Sequence, residues 1–195
     1  MTGIALQLGL PEALRADAAR LYWQAFGTKL GVVLGPEPRA LRFLARVMKA
    51  DQVITALGPD GGLLGIAGFK TPHGGFAAGQ GSDLRAIYGP FGGWWRRVLL
   101  GRLSDEVDTE RFLVDGLCVD APAQGQGLGT ALLDAICAEA RLRHYPAVRL
   151  DVIERNARAI ALYRRLGFEV VARQDIGLLR LVFRFSATLT MVRAV

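Results

Sequence analysis

Cysteine and histidine are scarce in this chain, and their scarcity bears on its chemistry and its compartment. There are 2 cysteines, Cys118 and Cys137, and 2 histidines, His73 and His144, among 195 residues. The cysteines form no Cys-x-x-Cys motif, and the histidines are distant in sequence without cysteine neighbours, so we expect no metal site. A reducing cytoplasm is the expected location.

Long apolar runs and long runs of like charge are also missing. Nowhere do about 18 apolar residues follow one another, so no membrane-spanning helix is expected. The N-terminus has no basic start followed by a long apolar run, so we expect no secretory signal. The formal net charge of +6 favours an anionic partner. Because basic residues occur as pairs such as Arg96-Arg97, a dedicated nucleic-acid arm is not expected.

Apolar residues and glycine are plentiful by contrast. Hydrophobic residues make up 51% of the chain, charged residues 22%, and there are 24 glycines. This is the composition of a globular domain with a core, and the length suits one domain of ordinary size. The many glycines indicate tight turns and close backbone approaches.

Hydrophobic periodicity divides the chain into helices and strands. Before residue 111 it predicts a strand over 4–8, helices over 11–26 and 38–50, hairpin strands over 52–57 and 63–71, and a helix over 94–107. From residue 111 it predicts strands over 112–119, 147–152, 168–174 and 187–193 and helices over 128–143 and 156–166. Gly74, Gly75, Gly79 and Gly81 indicate a loop, and residues 176–185 fit a loop or a helix. The order predicts an α/β layered domain with helices on a mixed sheet.

A glycine-rich segment separates the strand that ends at Val119 from the helix that begins at Leu128. It runs Gln124-Gly125-Gln126-Gly127-Leu128-Gly129-Thr130. Alternating glycines leave backbone N–H groups uncovered, and the start of a helix adds unpaired donors and a partial positive charge. The segment therefore predicts a phosphate or pyrophosphate site. A glycine-rich turn that merely lets helix and strand pack closely is the simpler alternative.

Two other phosphate-binding loops fit this segment less well. A P-loop needs lysine followed by serine or threonine, and the segment has no lysine. A dinucleotide fingerprint that starts at Gly125 would need glycine at Thr130, and five residues separate the strand from Gly125. Asp151 ends the next strand and could imitate a ribose-binding acid, but little chain follows to complete a doubly wound sheet.

Two sequence blocks together resemble the GNAT superfamily of N-acetyltransferases. The pyrophosphate loop of that family is Gln/Arg-x-x-Gly-x-Gly/Ala, and this chain has Gln124, Gly127 and Gly129 at that spacing. The second family pattern is asparagine, alanine, tyrosine and Gly-Phe in order, which here are Asn156, Ala159, Tyr163, Gly167 and Phe168. The resemblance is strong over residues 112–171 and looser before them.

The resemblance implies a fold and a cofactor site. The fold is an α/β (α+β layered) domain with a mixed, mostly antiparallel central sheet, helices on both faces, and a splayed strand pair that binds acyl-CoA. We take residues 1–195 as a single domain, with an N-terminal and acceptor-binding part over 1–110, the acyl-CoA-binding core over 111–175 and a C-terminal strand region over 176–195. The implied cofactor-binding residues are the glycine-rich segment from Gln124 to Thr130, Asn156, and Leu117, Cys118 and Val119 on the splayed strand.

The family also implies an activity, with acetyl-CoA as donor and a primary amine of a small molecule or peptide as acceptor. The acceptor site is expected between the N-terminal helices and residues 73–110, beside Asp115. Another acyl-CoA, a hydroxyl acceptor, a CoA- or nucleotide-binding regulatory module without turnover, and a basic nucleic-acid binder stay open as alternatives. Neither a specific nucleic acid nor a membrane is an expected partner, and an edge strand near the C-terminus leaves a homodimer open.

Tyr163 and Asp115 are the candidate catalytic residues. A phenol with a pKa of about 10 can protonate the departing CoA thiolate, and Asn156 lies close to two helical turns before Tyr163, on the same side. Asn156 is expected to cap its helix as well as to lie near the pantetheine. An amide near Leu117 or Cys118 would hold the oxyanion of the tetrahedral intermediate. A tyrosine that simply packs against the sheet is the alternative.

Asp115 precedes Leu117 by two residues and is expected on the same strand face. It would deprotonate the incoming ammonium, directly or through water; binding a cationic acceptor, or plain exposure at a strand end, are the other options. Cys118 is expected to be a buried small hydrophobe rather than a nucleophile. An acceptor channel lined by Trp94 and Trp95 is one option, but the expectation is that these adjacent aromatics divide between core and surface.

Overall fold

A mixed sheet is the centre of the computed structural model, which describes residues 3–72, 74–104, 108, 110–177, 180–183 and 185–195. Its strands are β1 (Ala5–Leu8), β2 (Val53–Leu57), β3 (Leu63–Thr71), β4 (Gly74–Gly75), β5 (Phe112–Val119), β6 (Ala147–Ile153), β7 (Glu169–Asp175) and β8 (Ala187–Ala194). They lie in the order β1-β2-β3-β5-β6-β8-β7, and β4 pairs with β3. The described pairs are antiparallel except for β5 with β6. The predicted mixed, mostly antiparallel sheet is confirmed.

Six helices accompany these strands within the described residues. They are α1 (Arg15–Leu34), α2 (Glu37–Val47), α3 (Gly81–Ser104), α4 (Leu128–Leu142), α5 (Ala157–Arg165) and α6 (Arg180–Phe183). On one face of the sheet, Leu132 and Ile136 of α4 pack against Phe112. On the other, Tyr22 of α1 and Leu44 of α2 pack in a second cluster. Helices therefore cover both faces, as predicted, and burial of such side chains contributes about 1.5–3 kcal/mol each.

Helix α1 continues eight residues beyond residue 26, where the predicted helix ended. Gly27 and Gly31 disfavour a helix locally, but Val33 and Leu34 are buried at 0% and 2% exposure. Arg96 donates hydrogen bonds to the carbonyl oxygens of Val33 (2.6 Å) and Gly35 (3.4 Å) at the end of the helix. Packing and capping by a distant part of the chain thus override the local propensity.

Segment α3 is a helical hairpin rather than one straight helix. Gly89 has φ 75° and ψ 175°, a conformation that glycine adopts far more readily than other residues, and Pro90 follows it. A Cβ on Gly93 would lie 2.8 Å from the backbone nitrogen of Arg85, eight residues earlier, so the two halves pack against each other. Residues 105–107, the end of the helix predicted over 94–107, lie outside the described residues.

The loop predicted from the glycines after residue 73 is partly wrong. Gly74 and Gly75 form β4 and pair with Thr71 and Lys70, and Gly81 already lies in α3. A Cβ on Gly75 would lie 2.7 Å from Cγ of Lys70, so this pairing requires a residue without a side chain at position 75. Glycine here allows close strand pairing, which local turn statistics do not reveal.

Strands β5 and β6 separate soon after they meet. Their parallel pairing is limited to Phe112 with Val148 and Leu113 with Arg149, although β5 continues to Val119. Beyond Leu113, the edge of β5 that faces β6 is without a strand partner among the described residues. The predicted splayed strand pair is therefore present, and it opens toward the glycine-rich segment that follows β5.

The outer strand on the C-terminal side is β7, and all seven of its residues are exposed. Of the segment over 176–185, residues 180–183 form the short helix α6, while 178, 179 and 184 lie outside the described residues. None of the helices in the described ranges combines the length and apolarity that crossing a bilayer requires.

Candidate active site

The glycine-rich segment forms the N-terminus of α4. Helix α4 begins at Leu128, and its N-cap residue Gly127 has φ 82° with no side chain bonded to the first turn. Gly125 has φ 81°, and a Cβ there would meet nothing within 4 Å. The first-turn amides are thus uncapped and their surroundings are open, which is the arrangement that binds an anion at a helix N-terminus.

The two glutamines of the segment hold the loop in shape. Nε2 of Gln124 donates to the carbonyl oxygen of Val119 at 3.0 Å, and Nε2 of Gln126 donates to that of Pro122 at 2.9 Å. Their amide donors are therefore engaged within the loop. The predicted pyrophosphate site is left with backbone amides as its main donors.

Arg158 is a residue of this site that the sequence interpretation missed. Its Nη1 donates to Oε1 of Gln124 at 3.2 Å, which places a guanidinium of α5 beside the glycine-rich segment. Arginine matches phosphate oxygens in charge and geometry. Its position two residues after Asn156, inside the second sequence block, is the signal that could have found it.

The other residues of the segment serve helix packing. Leu128 is 1% exposed and belongs to the core beneath α4. A Cβ on Gly129 would lie 3.3 Å from Cδ2 of Leu162, so the glycine lets α4 and α5 approach each other. Thr130 is half-buried in the first turn. These residues can offer backbone amides to a ligand, but the Leu128 side chain cannot reach it.

Asp115 lies on the opposite strand face from Leu117, so that expectation is wrong. The pairing of β3 with β5 shifts by one residue: Gly68 pairs with Gly116, and Phe69 pairs with Val114. Asp115 is the extra residue of this β-bulge, which breaks the alternation of side chains. Leu117 packs toward α4, whereas Asp115 faces the side on which α1 lies.

The contacts of Asp115 exclude plain solvent exposure at a strand end. Its Oδ2 accepts a hydrogen bond from the backbone N–H of Ala77 at 3.0 Å, and its Oδ1 lies 3.7 Å from Nζ of Lys70. The side chain is 13% exposed. Asp115 is thus a partly buried carboxylate that is held in place between β3, β5 and the segment after β4.

Cys118 is buried as predicted. It is 2% exposed and packs in the cluster that α1 and α2 cover, while Leu117 and Val119 pack on the other face. Burial raises the pKa of the Cys118 thiol well above its usual range. A thiol that stays protonated is a poor nucleophile, so the structure agrees with the prediction that Cys118 does not attack the donor.

Tyr163 lies on α5, half-buried against the core and with its ring centroid 6.1 Å from that of Phe168. Burial raises the pKa of Tyr163 to about 12, and the nearby Cys118 adds to the rise. Its hydroxyl has no hydrogen-bond partner in the part of the chain that the structure describes. The phenol is therefore protonated at neutral pH and free to donate.

Asn156 caps α5 as predicted. Its Oδ1 accepts a hydrogen bond from the backbone N–H of Ala159 at 3.2 Å. The remaining Nδ2 group can still donate to a ligand. His73 lies outside the described residues, and within the described ranges no three or more histidine, cysteine, aspartate or glutamate side chains form a group that could hold a metal ion.

An open cavity of about 1190 Å³ lies on the face of the sheet that carries Asp115. It is bounded by α1, α2, the segment after β4 and the α3 hairpin, and Lys70 and Asp115 belong to its lining. These are the elements expected to build the acceptor site. Trp94 lines the cavity and is 71% exposed, while Trp95 packs against a small core cluster, so the two tryptophans divide as expected.

Comparison with known proteins decides the family. Over residues 19–168 the chain matches the Acetyltransferase (GNAT) family. The chain belongs to this family. The match includes the glycine-rich segment, the splayed strand β5 and the second sequence block, which the resemblance had predicted.

Individual relatives match over shorter stretches. The chain is 38% identical over 76 residues to the mycothiol acetyltransferase of Propionibacterium freudenreichii subsp. shermanii, which is 39% of this chain and 24% of that protein. It is 32% identical over 63 residues to the peptidyl-lysine N-acetyltransferase YjaB of Salmonella typhimurium, which is 32% of this chain and 40% of that protein. The chain thus spans about a quarter and about two fifths of these curated relatives.

A solved structure extends the likeness to the whole fold. The structure of yncA from Salmonella typhimurium with its cofactor acetyl-CoA is 16% identical in sequence, with a TM-score of 0.61. The likeness covers 99% of this chain and 94% of that one. The fold likeness thus reaches beyond the residues matched by the family, over the described part of the chain.

Proposed function

We propose that this GNAT chain transfers an acetyl group from acetyl-CoA to a primary amine by direct attack in a ternary complex. The observation that carries the proposal is the uncapped, glycine-lined N-terminus of α4 at the mouth of the splay between β5 and β6. Support comes from the family membership and from a structural neighbour that was solved with its cofactor acetyl-CoA.

The donor would be held by three parts of the site. The first-turn amides of α4, with Gly125 and Gly127, would bind the pyrophosphate, and the Arg158 guanidinium would add charge complementarity. The unpaired edge of β5 would bond the pantetheine arm like an added strand. Asn156 would contribute its free Nδ2 donor. The thioester would then point along the splay toward Asp115.

The reaction needs three proton transfers besides positioning. The lone pair of a neutral amine forms the new C–N bond, the C–S bond breaks, and the CoA thiolate takes a proton from the Tyr163 hydroxyl. The nitrogen, which became positively charged on attack, then loses a proton to the Tyr163 phenolate, directly or through water, and this restores the phenol. A backbone amide near Leu117 or Cys118 would stabilise the oxyanion between these steps. The proton that the incoming ammonium must lose goes to Asp115 or, through water, to solvent.

Asp115 has two candidate roles, and its contacts favour one of them. A hydrogen bond from the Ala77 N–H to Oδ2 and an ion pair of Oδ1 with Lys70 hold the carboxylate in place, so both of its oxygens are already in contact with other groups. An acceptor ammonium would share this carboxylate with Lys70, whose Nζ lies 3.7 Å from Oδ1. We therefore propose Asp115 as the group that binds the acceptor ammonium, and proton abstraction by Asp115 as the second candidate.

Calorimetric titration with acetyl-CoA, followed by a thiol-release assay over a panel of amines, tests the proposal. Binding with release of thiol upon addition of an amine is expected. Binding without turnover for any amine or alcohol would favour a regulatory module, and thiol release with alcohols alone would favour a hydroxyl acceptor. If acetyl-CoA does not bind while DNA is retained in a salt-dependent manner, a nucleic-acid binder replaces the proposal.

A further inference from the structure

The cavity beside Asp115 is large for a site that would bind only a short amine. Its volume of about 1190 Å³ exceeds the range of roughly 300–1000 Å³ that is typical of small-molecule sites. Its outer wall is the α3 hairpin, which the family's two sequence blocks do not include. The cavity therefore has room for an acceptor with a body that lies between α1, α2 and this hairpin.

Apolar groups form about half of the cavity wall, and polar groups form the other half. Leu30 and Leu34 of α1, Phe43 and Leu44 of α2, and Trp94 of α3 all belong to the lining. Trp94 is exposed although it is large and aromatic, so a ligand that covers it gains apolar burial at about 25 cal/mol per Å². The body of the acceptor is accordingly apolar.

The charged groups of the cavity are unbalanced. Among the described residues, its lining contains three cations, Lys70, Arg85 and Arg97, and one carboxylate, Asp115. Lys70 is paired with Asp115. Arg85 and Arg97 have no carboxylate within ion-pair distance among the residues that the structure describes.

The two arginines also differ from Asp115 in solvent exposure. Both are exposed, whereas the Asp115 side chain is 13% exposed. They belong to opposite halves of the α3 hairpin, and the aliphatic part of Arg97 packs over Gly81, with Cδ 3.1 Å from the position of a Cβ there. The rim of the cavity is therefore cationic and its inner end carries the one carboxylate.

We infer that the acceptor is an amine with an apolar body and an acidic group, a carboxylate or a phosphate, at the end distant from the amine. The ammonium faces Asp115, the body covers Trp94, and the acidic group pairs with Arg85 and Arg97 at the rim. This inference rests on the proposed acetyl transfer and adds the substrate class to it.

Three probes that differ only in their distal group provide the test. They are phenethylamine, 4-(2-aminoethyl)benzoic acid and tyramine O-phosphate. Because the acidic group is remote from the amine, it changes the basicity of the amine little. We expect kcat/KM to be roughly tenfold higher for the acidic probes, with lower KM and similar kcat, since two charge-assisted contacts are added. The better of the two acids identifies carboxylate or phosphate as the natural group.

Variants assign the effect to the arginines. Arg85→Gln with Arg97→Gln should raise KM for the acidic probes to the value for phenethylamine and leave phenethylamine unaffected. Replacing Arg97 by lysine instead of glutamine in the double variant should restore part of the preference for acidic probes. The control is Arg141→Gln, which removes the same charge from α4 at the other face of the sheet and should leave the preference intact. Added salt should weaken the preference as well.

The outcomes separate this inference from the proposed function. Acetylation of phenethylamine as efficient as that of both acidic probes would overturn the inference and leave acetyl transfer standing. If no probe is acetylated, the affinity of each probe for the CoA-bound protein is measured by calorimetry instead. Equal affinities of the acidic and neutral probes, or no detectable binding, would also overturn the inference. If the protein does not bind acetyl-CoA, the proposed acetyl transfer itself is rejected, and the inference about the acceptor is rejected with it.

Discussion

At the scale of single residues, the environment of Tyr163 sets its chemistry. Burial raises its pKa to about 12, so the phenol keeps its proton through the neutral range. The raised pKa keeps the donor protonated but also makes it a weaker acid toward the thiolate, and its hydroxyl is uncommitted to other described residues. The same features would also suit a packed tyrosine, so kinetics must distinguish the two roles.

Tyr163→Phe is expected to lower kcat by about 10²- to 10⁴-fold, the range for loss of a general acid, with acetyl-CoA affinity nearly unchanged. Because the active form is the protonated phenol, the tyrosine-dependent activity should persist above pH 10 and be lost only toward its raised pKa of about 12. Steady-state rates across pH and calorimetry check both statements. A variant with wild-type kcat would show that Tyr163 only packs.

Arg158→Gln is expected to raise the Kd for acetyl-CoA by roughly tenfold, since a charge-assisted contact to phosphate is worth about 1.5 kcal/mol or more. Arg165→Gln on the same helix α5 is the matched control, because its exposed side chain has no contact with the glycine-rich segment. Calorimetry at low and high salt measures the difference. Equal affinities of the two variants would place Arg158 outside the phosphate site.

Asp115→Asn distinguishes acceptor binding from proton abstraction. If the carboxylate binds the ammonium, KM for the amine should rise roughly tenfold while the acidic limb of the kcat profile keeps its position. If it is the base, that limb should shift and kcat should fall. The matched control is Asp134→Asn, a change of the same type on an exposed position of α4. Unchanged KM and kcat would remove Asp115 from both roles.

At the scale of elements, the α3 hairpin depends on the backbone of Gly89. Its φ of 75° with ψ of 175° is a region in which residues with a side chain cost roughly 1–3 kcal/mol. Gly89→Ala should therefore lower the unfolding free energy by that amount and weaken acceptor binding, because the hairpin forms the cavity wall.

Gly31→Ala in α1 is the control for this substitution. A Cβ at Gly31 would meet its nearest atom, in Trp23, at 3.9 Å, which is ordinary contact, and helix propensity favours alanine by up to about 1 kcal/mol. Urea unfolding should thus move in opposite directions for the two variants. Equal stability of Gly89→Ala and the wild type would contradict the hairpin geometry.

At the scale of the whole molecule, buried groups with raised pKa values make stability depend on alkaline pH. Burial raises the pKa values of Tyr22, Cys118 and Tyr163. The unfolded chain releases these protons at ordinary pKa values of about 8.5 for cysteine and about 10 for tyrosine, whereas the folded chain retains them. Stability is therefore complete below about pH 8.5 and declines as pH rises above it.

The unfolding free energy should fall by up to about 1.4 kcal/mol per pH unit for each proton that only the unfolded state releases. Urea unfolding between pH 7 and 11 measures this slope. Cys118→Ala should reduce the slope between pH 9 and 10, where the cysteine contributes first. A stability that is flat from pH 8 to 11 would mean that these groups titrate normally in the folded chain.

Much of the acyl-CoA core could be predicted because its signals are local. The glycine-rich segment, the cap at Asn156 and the bounds of β5 each depend on neighbouring residues, and the structure places them as expected. The segment before residue 111 was harder, since Tyr88 and Arg96 tie the α3 hairpin to the end of α1, and Gly75 pairs with β3. The statistics of local turns carry no information about contacts between residues that are distant in sequence.

The sequence by itself determined which elements form and where an anion can bind, because hydrogen bonding to nearest neighbours and side-chain periodicity are properties of short segments. Only the tertiary structure decided that Asp115 faces away from Leu117, that Arg158 reaches Gln124, and that an αα-hairpin closes the cavity. Each of these depends on strand register or on helix packing between distant residues, where a shift of one position changes which side chains meet.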